Sequence, residues 1–266
     1  MDLQLAGKTA IVTGGSRGIG KQIAHELARE GVELAVVARN GDALRAAAVE
    51  LAEDTGSRIV PITADTGNDQ DVVAMVRQAA AAFGHLDILV NGAARVAGTT
   101  PEPRLSEIND DAFWGDMNVK VMGYLRCARE VAPYMRQQGW GRIINISGLA
   151  ARRAGSILAS ARNVAVVALT KNLADDLGPY GITANVIHPG TTRTERTAEM
   201  LASRAQRKNI SIEEAERLLA QGSSAKRLID AREIAYVVAF LASPRAAAIN
   251  GECIGVGGGL PGVIHY

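Results

Sequence analysis

A doubly wound α/β fold, with about seven parallel strands flanked by helices, follows from three features of this 266-residue chain. Short β-rich runs alternate with amphipathic helical stretches from one end to the other. Several strand runs, such as Ile-Leu-Val at 88–90 and Ile-Ile-Asn-Ile at 143–146, are apolar on both faces, as a parallel sheet covered on both sides requires. Glycines stand directly after three helical stretches, at Gly31, Gly56 and Gly84, where a helix needs a terminator. The strand runs fall at 8–13, 33–38, 59–63, 88–91, 142–146, 183–187 and 252–256. The helical stretches fall at 18–30, 41–55, 69–83, 111–138, 164–177 and 231–242, with a bend expected near Pro133 in the long one. Repeated strand–helix alternation implies βαβ units with right-handed crossovers. No linker or low-complexity block divides the chain, so one domain over 1–266 is expected.

Composition excludes several classes of function. Hydrophobic residues make up 47% and charged residues 21%, ordinary for a globular protein. Basic and acidic residues nearly balance, 29 against 28, leaving no basic field for nucleic acid or an anionic membrane. The two cysteines, Cys127 and Cys253, lack metal-ligand spacing and are too few for a disulfide scaffold; small core residues are expected, and no metal. Met1-Asp2-Leu3-Gln4 does not begin a signal peptide, and no apolar run approaches the ~20 residues that span a bilayer. The expected location is the cytoplasm, where the sequon Asn209-Ile210-Ser211 has no consequence.

One segment departs from the rhythm. Residues 191–224 lie between the sixth strand and the last helix, and Ser211-Ile212-Glu213-Glu214 reads as a capping box that starts a short helix. A long insert at the carboxyl end of a strand is where α/β sheets bind ligands. It reads as a substrate lid, with a solvated helical excursion as the other reading.

The first strand runs into Thr13-Gly14-Gly15-Ser16-Arg17-Gly18-Ile19-Gly20, which opens the first helix. Here the chain must turn sharply and let a pyrophosphate come close to its backbone, and glycine permits both. The helix N-terminus then offers free N–H groups to the anion. The spacing is G-x-x-x-G-x-G, with strand before and helix after, so the fold is expected to be a Rossmann-type dinucleotide-binding domain.

With these features the chain resembles the short-chain dehydrogenase/reductase family over nearly its whole length. The resemblance rests on the glycine turn, Asp65, Asn91-Gly92-Ala93, Asn118, Asn145-Ile146-Ser147, Pro189-Gly190 with Thr194 beyond, Phe240-Leu241-Ala242-Ser243 and Gly251-Glu252. It implies that Gly14, Ser16, Arg17, Gly18, Ile19 and Gly20 hold the cofactor's phosphates, and that Asp65 meets the adenine ring. It implies that Asn91, Gly92 and Ala93 line the adenine ribose side and brace the sheet. Pro189, Gly190, Thr192 and Thr194 would hold the nicotinamide carboxamide. It also implies a homodimer or homotetramer assembled through the two long helices, with a small molecule as substrate.

The residues after the second strand decide between cofactors. An acid there would bond the ribose hydroxyls of NAD, but the sequence reads Ala38-Arg39-Asn40. Arg17 and Arg39 are placed to clamp a 2′-phosphate, so NADP(H) is expected.

The family's usual chemistry uses a tyrosine as proton donor, a lysine one turn later, a serine and an asparagine. Counting back from Val166-Val167-Ala168-Leu169-Thr170 puts the tyrosine position at Ala159 and the lysine position at Asn163. No tyrosine occurs between Tyr134 and Tyr180. Asn118 takes the asparagine position and Ser147 the serine position, with Gly148 where many relatives carry that serine. The candidate catalytic set is therefore Ser147, Asn118 and Asn163, with Asn163 also a candidate for the nicotinamide ribose. Arg162 falls on a different helix face from Asn163. His188 is either an alternative acid or a structural histidine. Ala94, Arg95, Val96, Leu149, Arg152 and Arg153 are candidate pocket residues, and the paired arginines suit an anionic substrate or bare solvent. Three functions stay open: an NADP(H)-dependent oxidoreductase with a non-standard site, a lyase or isomerase using the same pocket, and a catalytically silent NADP-binding partner subunit.

Overall fold

A computed structural model describes residues 1–94 and 103–264. Seven parallel strands form one sheet: β1 (Thr9–Thr13), β2 (Glu33–Ala38), β3 (Ile59–Thr63), β4 (Ile88–Asn91), β5 (Gly141–Ile146), β6 (Ile182–Pro189) and a last strand at Cys253–Val256. Two short strands, β7 (Thr192–Arg193) and β8 (Ile229–Asp230), pair with each other, so the last strand is β9. The sheet order is β3-β2-β1-β4-β5-β6-β9. The order reverses between β1 and β4, and at such a reversal a doubly wound sheet opens a crevice at its carboxyl edge. The Rossmann-type architecture expected from the sequence is the one observed.

Alternate residues of each strand feed opposite layers. Ala10 and Val12 of β1, Leu34 and Val36 of β2, and Ile88 and Val90 of β4 pack into one apolar layer. Helices α1 (Gly18–Arg29), α2 (Gly41–Thr55) and α9 (Ala231–Ala242) complete it. Ile11, Ala35, Val37 and Leu89 face the other way, onto α3 (Asp69–Phe83) and α5 (Gly123–Gln138). Period-2 alternation with both faces apolar is what a doubly covered sheet needs. Asn40 caps α2 by accepting from Ala43 N–H, and Asn68 caps α3 by accepting from the N–H groups of Gln70 and Asp71. Gly56 and Gly84 close these two helices in the left-handed conformation.

The long helix differs from expectation. It starts as α4 (Asp110–Met117), passes through a π turn at Asn118–Met122, and continues as α5 without interruption at Pro133. Pro133 removes one N–H donor, but it is exposed, so water can serve the carbonyl it leaves. The helix α6 (Ile157–Leu177) begins seven residues before the expected 164, because Ser156 caps it by accepting from Ala159 N–H. Ala159, Arg162 and Asn163 are therefore helical. The 191–224 segment holds two helices rather than one, α7 (Thr197–Lys208) and α8 (Ile212–Ala220), packed through Leu201, Ala205 and Ala215. Ser211 caps α8 from Glu214 N–H, but the Glu214 carboxylate pairs with Arg217 instead of closing the box. Cys127 is buried in the core and Cys253 lies half-buried on β9. Among the described residues no helix is long and apolar enough to cross a membrane.

Candidate active site

A cavity of about 670 Å³ runs along the carboxyl edge of the sheet, from the glycine turn to the ends of β5 and β6. Its floor is built from close backbone approaches. Gly14 has φ of 73°, and a Cβ there would lie 2.8 Å from the Gly92 carbonyl oxygen. A Cβ on Gly20 would collide with the Gly14 carbonyl oxygen. Thr13 fixes the far wall, its hydroxyl accepting from the N–H groups of Gly92 and Ala93. Glycine at 14 and 20 is therefore demanded by packing, and the surface it leaves can receive a bulky anion.

Most of the expected cofactor residues line this cavity: Gly14, Ser16, Arg17, Gly18, Ile19 and Gly20 at the turn, then Arg39, Asp65, Gly92 and Ala93, then Pro189, Gly190, Thr192 and Thr194. Arg17 and Arg39 are both exposed, and among the described residues neither is paired with a carboxylate. Two expected residues lie elsewhere. Asn91 is fully buried and braces the sheet: its amide donates to Asn145 Oδ1 at 2.9 Å, and Asn145 in turn donates to Thr170 Oγ at 2.8 Å. Asn163 lines a second cavity instead. An acid also occupies the turn: Gly18 N–H donates to Glu195 Oε1 at 2.8 Å, so a carboxylate from the 191–224 segment sits on the positive end of α1.

The second cavity, about 490 Å³, adjoins the first and shares Lys120, Ser147, Pro189 and Gly190 with it. Ala159 and Asn163, one helical turn apart on α6, contribute to one wall, and Leu149, Arg153 and Arg227 to others. Leu219, Gly222 and Ser223 bring in the 191–224 segment. Of the adjacent arginines only Arg153 faces this cavity, since Arg152 donates to the Cys253 carbonyl at 2.7 Å. Ala94 lines the first cavity, while Arg95 and Val96 lie outside the described residues.

The expected catalytic set is rearranged. Ser147 stands at the junction with its hydroxyl donating to the Asn163 carbonyl at 3.1 Å. Gly148 leaves room for Asn163: a Cβ there would lie 3.1 Å from the Asn163 amide nitrogen. Asn118, at the start of the π turn, is not among the residues that line either cavity; its amide donates to the Gly67 carbonyl at 3.0 Å, in the loop after β3. His188 is buried and lines neither cavity. Tyr124 is also fully buried; its hydroxyl donates to the Ile146 carbonyl, and burial pushes its pKa far up.

Lys120, two residues beyond Asn118 in the π turn, lines the junction itself. It is 5% exposed and lines both cavities. Its Nζ donates to the Ser147 carbonyl and to Asn163 Oδ1, each at 2.9 Å. Both acceptors are neutral. Asp116 is spent on Arg162, whose Nη1 reaches both carboxylate oxygens at 2.5 and 2.6 Å. Burial, then the Arg162 charge, pulls the Lys120 ammonium down to about 7, against an upward push from Asp116. A signal for this was present. Positions 120, 124, 127, 128 and 131 recur at helical spacing, so Lys120 falls on the apolar face that carries Tyr124, Cys127, Ala128 and Val131. A lysine on such a face is almost never buried without a purpose-built setting.

Residues 14–261 match the family model described as Enoyl-(Acyl carrier protein) reductase. The chain is 36% identical over 253 residues to the short-chain reductase protein NovJ of Streptomyces niveus, covering 95% of this chain and 93% of that one. It is 30% identical over 255 residues to the NADPH-dependent reductase BacG of Bacillus subtilis strain 168, covering 95% and 97%. Among solved structures, L-sorbose reductase from Gluconobacter frateurii, complexed with NADPH and L-sorbose, superposes with a TM-score of 0.92 at 30% identity, covering 99% of this chain and all of the other.

Proposed function

Because the chain belongs to the short-chain dehydrogenase/reductase family, we propose that it is an NADP(H)-dependent oxidoreductase moving a hydride between nicotinamide and a small carbonyl or alcohol. The observation that carries this reading is the pair of adjoining cavities. One is floored by the glycine turn and flanked by Arg17 and Arg39, and the other meets it at Lys120, Ser147, Pro189 and Gly190. The NADPH held by the superposed L-sorbose reductase supports the same cofactor.

The residues present fit that cofactor. The backbone at Gly14 and Gly18, with φ of 73° and 58°, makes the concave anion seat at the head of α1. Arg17 and Arg39, uncommitted to any acid among the described residues, supply the charge a 2′-phosphate needs. When bound, NADPH supplies the hydride. Pro189, Gly190, Thr192 and Thr194 would hold its nicotinamide end, and Ser147 and Asn163 would meet the substrate oxygen's side of the junction. The 191–224 segment, which lines the second cavity through Leu219 and Gly222, acts as the substrate lid within one domain. Exposed Trp114, Met122, Ile157 and Val164, on or beside α4 and α6, suit self-association into a dimer or tetramer, which sedimentation would read.

Fluorescence titration with NADPH and NADH tests the reading. NADPH should bind at least about tenfold more tightly, one charge-assisted contact being worth ~1.5–3 kcal/mol. Equal affinities would refute the cofactor assignment. Tight NADPH binding with no consumption of NADPH against aldehydes, ketones, imines and quinones would favour a silent partner subunit.

A further inference from the structure

We propose that Lys120 is the catalytic acid–base group of this site, giving a proton to the substrate oxygen during carbonyl reduction and taking it back during alcohol oxidation. The assignment rests on the oxidoreductase reading above. Three observations support it. First, Lys120 is the titratable side chain shared by the two cavities, placed where cofactor and substrate would meet. Second, among the described residues its hydrogen bonds leave one position open. An ammonium has three N–H donors, and the Ser147 carbonyl and Asn163 Oδ1 take two of them. The third is left for an oxygen in the cavity. When the group is neutral the same two bonds persist, and the lone pair occupies that third position, ready to accept a proton. Third, its surroundings are arranged against a fixed charge. Asp116 on α4 is neutralised by Arg162 on α6, and Arg227 in the second cavity is held by Glu233. Arg153 adds a further positive charge to that cavity. No carboxylate among the described residues is committed to Lys120, so its proton is loosely held, and the pKa of about 7 agrees.

The group thus stands in for the tyrosine that Ala159 cannot replace. It also exchanges places with Asn163: the amine comes from the helix that was expected to give the amide, and the amide from the helix that was expected to give the amine. In reduction, hydride forms the new C–H bond at the carbonyl carbon, and the carbonyl π pair moves to oxygen. The Lys120 N–H bond breaks as the O–H bond forms. NADPH leaves as NADP⁺, the lysine is left as a neutral amine, and water reprotonates it.

Two readouts test this. Competitive labelling with trace acetic anhydride from pH 6 to 11, resolved peptide by peptide, reads each lysine's titration without any substrate. Lys120 should titrate near neutrality and be protected by saturating NADPH. A midpoint at the ordinary lysine value of 10.5, indifference to NADPH, or no labelling at any pH would overturn the assignment, since an amine beyond reach of a small anhydride is beyond reach of a substrate. In parallel, NADPH oxidation by 2,3-butanedione and 1,2-cyclohexanedione is measured for wild type, Lys120→Met and Lys120→Arg. Both variants should lose about 10²–10³-fold in kcat, the usual range for a general acid, and wild-type kcat/KM should fall above about pH 7. Unchanged turnover in Lys120→Met with NADPH binding intact would sink the assignment alone. Failure of the wild type to bind NADPH would sink the oxidoreductase reading beneath it. Covalent capture of either dione on Lys120 by borohydride would overturn the proposal too, because the amine would then be a nucleophile.

Discussion

Replacing Lys120 with methionine should change how stability depends on pH, whatever the substrate turns out to be. In the folded chain the Lys120 ammonium is lowered from 10.5 to about 7, chiefly by burial. Between those values the unfolded chain binds one more proton than the native chain. The sign follows: native stability rises with pH through that window, at about 1.36 kcal/mol per unit, and is flat below it. From pH 6 to pH 9, allowing for partial protonation near 7, the wild type should gain about 2.5 kcal/mol relative to Lys120→Met. That corresponds to roughly 5–10 °C in Tm for a chain of this size. Methionine also leaves the Ser147 carbonyl and Asn163 Oδ1 without their donor, a constant offset of about 1–3 kcal/mol each. The slope carries the inference and the offset does not. Urea or thermal unfolding of both proteins at pH 6, 7, 8 and 9 measures it, with every other titrating group cancelling in the comparison. Parallel curves would refute the claim that this lysine is held near neutrality.

Other outcomes follow from the same geometry. Arg39→Glu should weaken NADPH by about 10²-fold or more and spare NADH, measured by titration of each, because a carboxylate would face the 2′-phosphate. Gly20→Ala drives a methyl into the Gly14 carbonyl, so it should lower Tm by several degrees and abolish NADPH binding. Glu195→Gln should tighten NADPH by up to about tenfold, since it removes the negative charge now seated on Gly18 N–H. Asn163→Lys alone should cost about 3 kcal/mol or more by setting a second ammonium against Lys120, and Lys120→Asn in the same chain should restore most of it. Denaturant unfolding of the four proteins in that cycle reads the coupling directly.

The sheet, the glycine turn and the paired arginines were legible because each is written in a local pattern: period-2 runs, a fixed glycine spacing, a charge at one loop position. Of the two roles expected of Asn91, bracing the sheet is the one its buried amide fills, through Asn145, while its neighbours Gly92 and Ala93 line the cavity. Helix α6 starts ahead of the apolar run that predicts it because one polar residue before Ile157, Ser156, is enough to cap it. The register of the long helix is not written in a local pattern. A straight count puts Asn118 toward the site. The π turn at 118–122 adds residues to that turn, sends Asn118 to the Gly67 carbonyl and brings Lys120 round to Ser147 and Asn163. Nothing in Asn-Val-Lys-Val-Met announces such a turn. The helical stripe through 120, 124, 127 and 131 would still have flagged a lysine among core residues. The arginine beside Asn163 misled in the same way: Arg162 does face another direction, but that direction is Asp116, close enough to act on the lysine electrostatically.

The small ribbon formed by β7 and β8 has a consequence for how such a protein could diversify. Thr192 pairs with Ile229 and Arg193 with Asp230, so the chain leaves the main sheet and returns within one rung of ladder. Everything between those rungs, including α7 and α8, is a closed excursion whose two ends are already fastened together. Its contents can be exchanged with little change in the distance between β6 and α9, because closure does not depend on what the loop encloses. On the lid reading proposed above, substrate choice would sit on the part of this excursion beyond Arg196, since Thr194, Glu195 and Arg196 still line the cofactor cavity. A chimera carrying a relative's 197–228 segment should take on that relative's carbonyl preference while keeping the NADPH-over-NADH ratio set at Arg17 and Arg39. Transfer of the cofactor ratio along with the segment would show the two parts to be one.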